Sequence, residues 1–317
     1  MLNPVFLSLE IGATLIFVGA ALAALRRGRL PFLELISAAA FGLLLEESSQ
    51  LIFETYNYSS EWTLVLDRAP LVIGLTWALL IAGAMRITDA LGVRRWTAPF
   101  VDAVLVIMLD LAFDAVAIRM GMWTWRDIGP TDGWFGVQAG NFYTWLFVTL
   151  GFSFLTRWLR DRATRRRGAE WLQLLIPVPA YAILVASIIP YAYISTRTNA
   201  PTGGALWLSF LSIGLFAVVA ARGVFGPGRQ PPDGHMAAIV DLRLAFFTRV
   251  SIQVFFLTAM LVMGVATQLP VLLVTSVVLL AIDLWLPRLL DQRRAAAGLA
   301  PARAVPLAPV VARLRPR

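Results

Sequence analysis

Nine long apolar runs, spaced almost evenly along 317 residues, leave this chain little room for a soluble architecture. A membrane crossing needs about 20 predominantly apolar residues in helical form. Runs of that kind lie near 5–25, 32–53, 69–87, 99–118, 139–158, 171–194, 204–222, 246–266 and 270–287. They are continuous rather than alternating, which favours helices over a membrane barrel. Composition agrees: 59% of the residues are apolar and 15% charged, against roughly 45–50% and 25% in an average soluble domain. The expected fold is an all-α polytopic transmembrane helical bundle of about nine helices, sitting as a multi-pass protein in the cell membrane. A single transmembrane domain is expected over 1–291, with a disordered Arg/Pro/Ala-rich tail over 292–317.

The basic residues give this bundle a direction. All 27 are arginine, and they gather in alternate connections. Arg26, Arg27 and Arg29 follow the first run; Arg86, Arg94 and Arg95 follow the third. Arg157, Arg160, Arg162, Arg165, Arg166 and Arg167 follow the fifth, and Arg222, Arg229 and Arg243 the seventh. The connections between hold only Arg68, Arg119, Arg126 and Arg197. Arginine-rich connections mark the cytoplasmic side. The N-terminus is therefore expected outside and the C-terminus in the cytoplasm. The first run has no basic leader and is expected to stay as an anchor. A formal charge of +8 invites a nucleic-acid reading, but arginines set between apolar runs form no single binding stripe. The expected partners are the lipid bilayer and no nucleic acid, with the tail arginines able to touch anionic lipid. Gly12, Gly19, Ala20 and Ala23 are expected to be helix-packing surfaces.

Several chemistries are excluded by what is missing. No cysteine is present, so disulfides, thiolate metal sites and thiol nucleophiles drop out. The one histidine, His235, falls in a Pro/Gly-rich connection and is expected to be solvated. It rules out the histidine-rich di-iron hydroxylases and desaturases. No glycine-rich run precedes a Lys-Ser/Thr pair, so a nucleotide loop is absent. Asp110-x-x-x-Asp114 lacks the Asn-Asp start of a magnesium-pyrophosphate motif. No metal and no cofactor are expected.

What remains is a set of carboxylates inside apolar runs, where each costs a few kcal/mol if ionised and exposed to lipid. The second run carries Glu46, Glu47 and Glu54, then Tyr56, Asn57 and Tyr58. Glu47 and Glu54, seven apart, are expected on one helical face two turns separated. The fourth carries Asp102, Asp110 and Asp114, the last two an i,i+4 pair. Trp123 and Trp125 follow, then Trp134, and the fifth run opens with Asn141, Phe142 and Trp145. By the expected topology these features converge in the outer half. Carboxyls crowded into one apolar place cannot all ionise, so one or more is expected to hold a proton near neutrality and to act as a general acid. The plainer alternative makes the tryptophans an interfacial belt and the carboxylates structural partners. Asp283 fits that description, paired with Arg249 at similar depth on the adjacent run.

The motifs Glu47…Glu54-x-x-Asn57-Tyr58, Pro70…Trp77, Ile87-Thr88-Asp89, Asp102…Asp110-Leu-Ala-Phe-Asp114, Trp123-x-Trp125 and Trp134-Phe-Gly-Val…Asn141-Phe…Trp145 occur in this order. On them the chain resembles the membrane carotenoid biosynthesis protein family over roughly residues 40–160. Ala115 and Gln138 stand where that family usually has proline. The resemblance implies carotenoid biosynthesis, with a lyase among the family's activities: hydration of the terminal double bond of an acyclic or monocyclic carotene. It implies a hydrophobic polyene substrate and other carotenoid-pathway enzymes as neighbours. Asp110 or Asp114 would donate the proton, and Glu47 and Glu54 would position water or act as base. Asn57, Tyr58 and Asn141 would bind substrate or water, and Trp123, Trp125 and Trp145 would line the pocket. Two other readings stay open: a proton-coupled transporter built on the same carboxylates, and a non-catalytic membrane scaffold that uses the tail.

Overall fold

The computed structural model describes residues 3–163, 165–166, 168–198, 200, 204–227 and 238–298. Arg167, Arg229, His235 and the tail beyond residue 298 lie outside the described residues. Ten α-helices follow in order: α1 (Pro4–Arg27), α2 (Arg29–Leu51), α3 (Leu71–Ala90), α4 (Ala98–Arg119), α5 (Ala139–Ala163), α6 (Pro177–Arg197), α7 (Leu206–Phe225), α8 (Ile239–Val262), α9 (Val265–Gln268) and α10 (Pro270–Ala296). A 3-10 helix, Ala169–Leu175, leads into α6, and four short strands occupy connections: β1 (Tyr56–Tyr58), β2 (Val65–Leu66), β3 (Ala69–Pro70) and β4 (Trp123–Trp125).

Eight of the apolar runs fall mainly on one long helix each, the run at 171–194 is divided between the 3-10 helix and α6, and α9 is a single added turn. Six helices, α1, α3, α6, α7, α8 and α10, are long and apolar enough to cross a membrane. The other three long ones, α2, α4 and α5, carry charged residues within the helix. Those residues are largely turned inward. Glu34, Glu46, Asp102, Asp110, Asp114 and Arg157 are all buried. The helix at the centre, α4, packs against α3, α5, α7, α8 and α10. Its sequence is apolar around most of its circumference, as a helix surrounded by others requires.

Close approach sets the α2–α3 pair. A Cβ on Gly42 would come within 2.6 Å of the Trp77 Cβ, and one on Gly74 within 2.4 Å of Leu43. Only glycine lets these backbones meet. The aromatic ring of Trp77 is thereby held beside α2.

One end of the bundle is bound by buried ion pairs. Arg86 meets Glu34 at 2.7 Å, Arg160 meets Glu34 at 2.6 Å and Asp89 at 2.9 Å, and Arg157 meets Asp102 at 2.9 Å and also Asp89. Three guanidiniums balance three carboxylates across α2, α3, α4 and α5. Charge removed from water needs such closed pairing. Arg157 and Arg160, expected in a connection, therefore lie within α5 as part of its packing. The Arg249–Asp283 pair expected from depth is formed at 2.8 Å, with Gln253 on the other carboxylate oxygen.

Helix α10 runs to Ala296, and Arg293 near its end reaches back to the carbonyls of Leu91 and Val224. One expectation needs correcting. Helix α2 ends at Leu51, so Glu54 does not share a helical face with Glu47. It sits in the connection with φ +47°.

Candidate functional site

At the end opposite the ion network, two connections pair as a small antiparallel ladder. Tyr56 lies opposite Trp125, Asn57 opposite Thr124 and Tyr58 opposite Trp123. Side chains alternate in a strand, so Tyr56 and Tyr58 share one side with the two tryptophans while Asn57 points the other way. The ladder extends through Arg126 N–H to Thr55 O and Ser59 N–H to Met122 O. Trp62 donates to Met122 O at 3.2 Å and stacks on Phe6 of α1. Glu10, one turn on in α1, accepts from the backbone of Thr63 and Leu64. The connections are thus fastened onto the first helix.

Beneath the ladder lies a cavity of about 580 Å³, walled by α1, α2, α3, α5, α6 and α8 with Phe113 of α4, and mostly apolar. Its polar groups gather near the ladder. Glu46 accepts from Trp77 Nε1 at 2.6 Å, from the Tyr58 hydroxyl at 2.6 Å and from the Tyr56 hydroxyl. Burial, and after it the Glu46 carboxylate, push both phenols well above their ordinary value, so they remain donors. Three donors converging on two carboxyl oxygens match an acceptor-only carboxylate.

Asp110 and Asp114 form the second carboxyl group. Both are buried, one turn apart on α4. Asn141 Nδ2 donates to Asp110 at 2.9 Å and to Asp114 at 2.8 Å, while its Oδ1 accepts from Trp145 Nε1 at 3.1 Å. The Oδ1 atom of each aspartate is buried with no protein partner. Among the described residues neither carboxyl forms an ion pair. Asn141 lines the cavity, and the aspartates lie one layer behind it.

The structure therefore brings most of the sequence candidates together. Tyr58, Trp123, Trp125, Asn141 and Trp145 line the cavity, and Asp110 and Asp114 back it. Glu47, Glu54 and Asn57 are placed elsewhere. Glu47 accepts from the backbone N–H of Arg68 and Ala69, holding the connection before α3. Glu54 pairs with Arg126 on the exposed side, where Asn57 also accepts from Arg126 at 3.4 Å. The residue that sequence reasoning passed over is Glu46. Its neighbour Glu47 is about 100° away around the helix, and the signal separating them was the pair of tyrosines and Trp77 that the fold brings over. Trp134 is structural: its indole N–H donates to Leu111 O, and Arg119 ties the carbonyls of Pro130 and Phe135 to α4.

Long apolar helices around a mostly apolar cavity, with Glu46 and Asn141 in its lining, define a helical protein with membrane-length segments. A family model described as carotenoid biosynthesis protein matches residues 4–208. The chain belongs to the carotenoid biosynthesis protein family. The match reaches well beyond residues 40–160, where the motifs lie, and takes in α1 and α6, which form two of the cavity walls. No curated protein matches the chain, and no solved structure does.

Proposed function

We propose that this protein is a carotenoid hydratase, adding water across the terminal double bond of an acyclic or monocyclic carotene. The observation that carries the reading is an apolar cavity with one buried carboxyl, Glu46, in its wall and two more, Asp110 and Asp114, one layer behind Asn141, none of them in an ion pair among the described residues. Protonating a trisubstituted alkene needs a carboxylic acid, and two carboxyls that share one amide donor are suited to hold a single proton between them. In the proposed step the Asp110–Asp114 pair gives that proton to the less substituted alkene carbon, and the π electrons form the new C–H bond. The tertiary cation left behind faces Trp77 and Trp145, whose ring faces attract positive charge. A water oxygen then bonds to the cation while Glu46 takes the water's proton, returning it to the aspartate pair. No redox change occurs.

The topology belongs to this proposal: nine crossings of the cell membrane, N-terminus outside and C-terminus in the cytoplasm. It rests on the alternation of arginines, and it puts the ladder and the carboxyls outward. The polyene would arrive from the bilayer.

The test is expression of the gene in a lycopene-making bacterium with analysis of the pigments. A product heavier than lycopene by one water is expected, lost in Asp110→Asn and Asp114→Asn. Unchanged product in both variants rejects the assignment of roles, and no product from the native chain rejects the activity.

One observation favours a proton-coupled carrier as a second reading. A small cavity beside Arg27 and Asp241 shares Leu79 and Thr248 with the large one. A carrier needs access to its site from each side in turn, and the two cavities adjoin at these residues. It would show uptake driven by a pH gradient in proteoliposomes and leave pigments unaltered.

A further inference from the structure

The cavity extends beyond the carboxyls. From them a row of five of its rings crosses the bundle: Trp77 on α3, Trp145 on α5, Phe113 on α4, then Phe256 and Phe255 on α8. Successive centroids are 4.2, 5.9, 4.9 and 5.0 Å apart, within the span of direct ring contact. The row ends on α8, where Ser251, Ile252 and Phe255 line the cavity yet are partly exposed. Ser8, Gly12 and Ile16 of α1 form the facing rim, about 12 Å long at the helical rise. A Cβ on Gly12 would meet nothing within 4 Å. The sequence suggested a packing glycine; the structure leaves the space beside it open.

We propose that the rim between α1 and α8, at Gly12, is where the tail of the polyene leaves the protein for the lipid, and that the ring row is the track along which the chain lies. The inference rests on the polyene reading above. A conjugated chain suits this track because it is rigid and loses little conformational freedom on a fixed row of rings; a saturated acyl chain would lose much more. Position along the track then sets which carbon meets Asn141 and Glu46. The opposite rim, between α2 and α6, carries Val185 and Ile188, and the ring row does not reach it.

The experiment uses the full chain in nanodiscs with lycopene as the probe, read by quenching of tryptophan emission, alongside pigment conversion in cells. Gly12→Phe is expected to weaken lycopene binding about tenfold or more, and by more than Val185→Phe, while Gly12→Ala stays within about twofold of native. Phe255→Ala, which shortens the row without filling the rim, is expected to weaken binding several-fold. Circular dichroism and monodisperse elution identify any variant that fails to fold, and Phe255→Ala then carries the test alone. Native affinity in both Gly12→Phe and Phe255→Ala overturns the track, as does loss of binding in Val185→Phe but not in Gly12→Phe. The quenching pattern without hydroxylated pigment keeps the track and rejects the hydratase reading. Full conversion by Gly12→Phe does the reverse.

Discussion

Trp145 donates its indole N–H to Asn141 Oδ1 at 3.1 Å, and this one bond decides which end of the Asn141 amide faces Asp110 and Asp114. An amide can turn over, exchanging donor for acceptor. With Trp145 in place, the nitrogen points at both carboxyls.

Trp145→Phe keeps a ring in the row and removes the hydrogen bond. A hydrogen bond of this kind contributes about 1 kcal/mol, so conversion of lycopene is expected to fall roughly five-fold, by the same conversion scale of 1.4 kcal/mol per tenfold. Asn141→Leu removes both donors and is expected to abolish conversion. Pigment ratios in cells at matched expression measure both, and equal ratios for all three chains would remove Asn141 from the site.

Glu46→Gln is expected to lower product formation strongly while leaving lycopene binding near native, since the base changes but the apolar walls do not. The same variant relieves Tyr56 and Tyr58 of the neighbouring negative charge, so their phenols should ionise at lower pH than in the native chain. Ultraviolet titration of tyrosinate absorbance follows this shift.

The raised phenols also set an alkaline limit. The folded chain holds these two protons more tightly than the unfolded chain does. Their contribution to stability is therefore intact below the unfolded phenol value of about 10 and declines as pH rises above it. Thermal unfolding in detergent should show a falling midpoint above that pH, with a smaller fall in Tyr56→Phe/Tyr58→Phe.

Breaking the ion network should cost stability without touching the cavity. Arg157→Leu strands Asp102 and leaves Asp89 with Arg160 as its close partner, and removal of one member of a buried pair typically costs about 3–5 kcal/mol. A lower midpoint and reduced yield are expected. If the variant unfolds with the native midpoint, the network is not holding α3, α4 and α5 together.

Gly42→Val should also act through stability, because its side chain would meet Trp77. Overpacking of this kind costs about 1–3 kcal/mol. Displacing Trp77 would loosen its bond to Glu46, so lycopene conversion should fall along with the unfolding midpoint.

The helices were legible because a run of about 20 apolar residues has few alternatives. Expected and observed ends of α3 and α4 agree closely, whereas α8 begins at Ile239 rather than near 246. There Asp241 and Arg243 interrupt the hydropathy, and Asp241 finds its partner in Arg27 of α1. The i,i+4 spacing of Asp110 and Asp114 and the Asn141…Trp145 spacing could likewise be read directly, since helical geometry turns each into a shared face. Glu46 could not. Its claim depends on Trp77, Tyr56 and Tyr58, which come from a different helix and from a loop. Arg157 was misjudged for a related reason: a count of arginines near a boundary records charge and says nothing of the carboxylates waiting on other helices.

The backbone ladder between β1 and β4 has a kinetic consequence. In the proposed topology its strands would close the cavity on the aqueous side with main-chain hydrogen bonds, leaving a sideways approach for a greasy molecule. An enzyme supplied in that way responds to the mole fraction of substrate in the surrounding bilayer, not to its amount per volume of water. Adding inert phospholipid at constant carotene would then slow the reaction, and adding buffer would not.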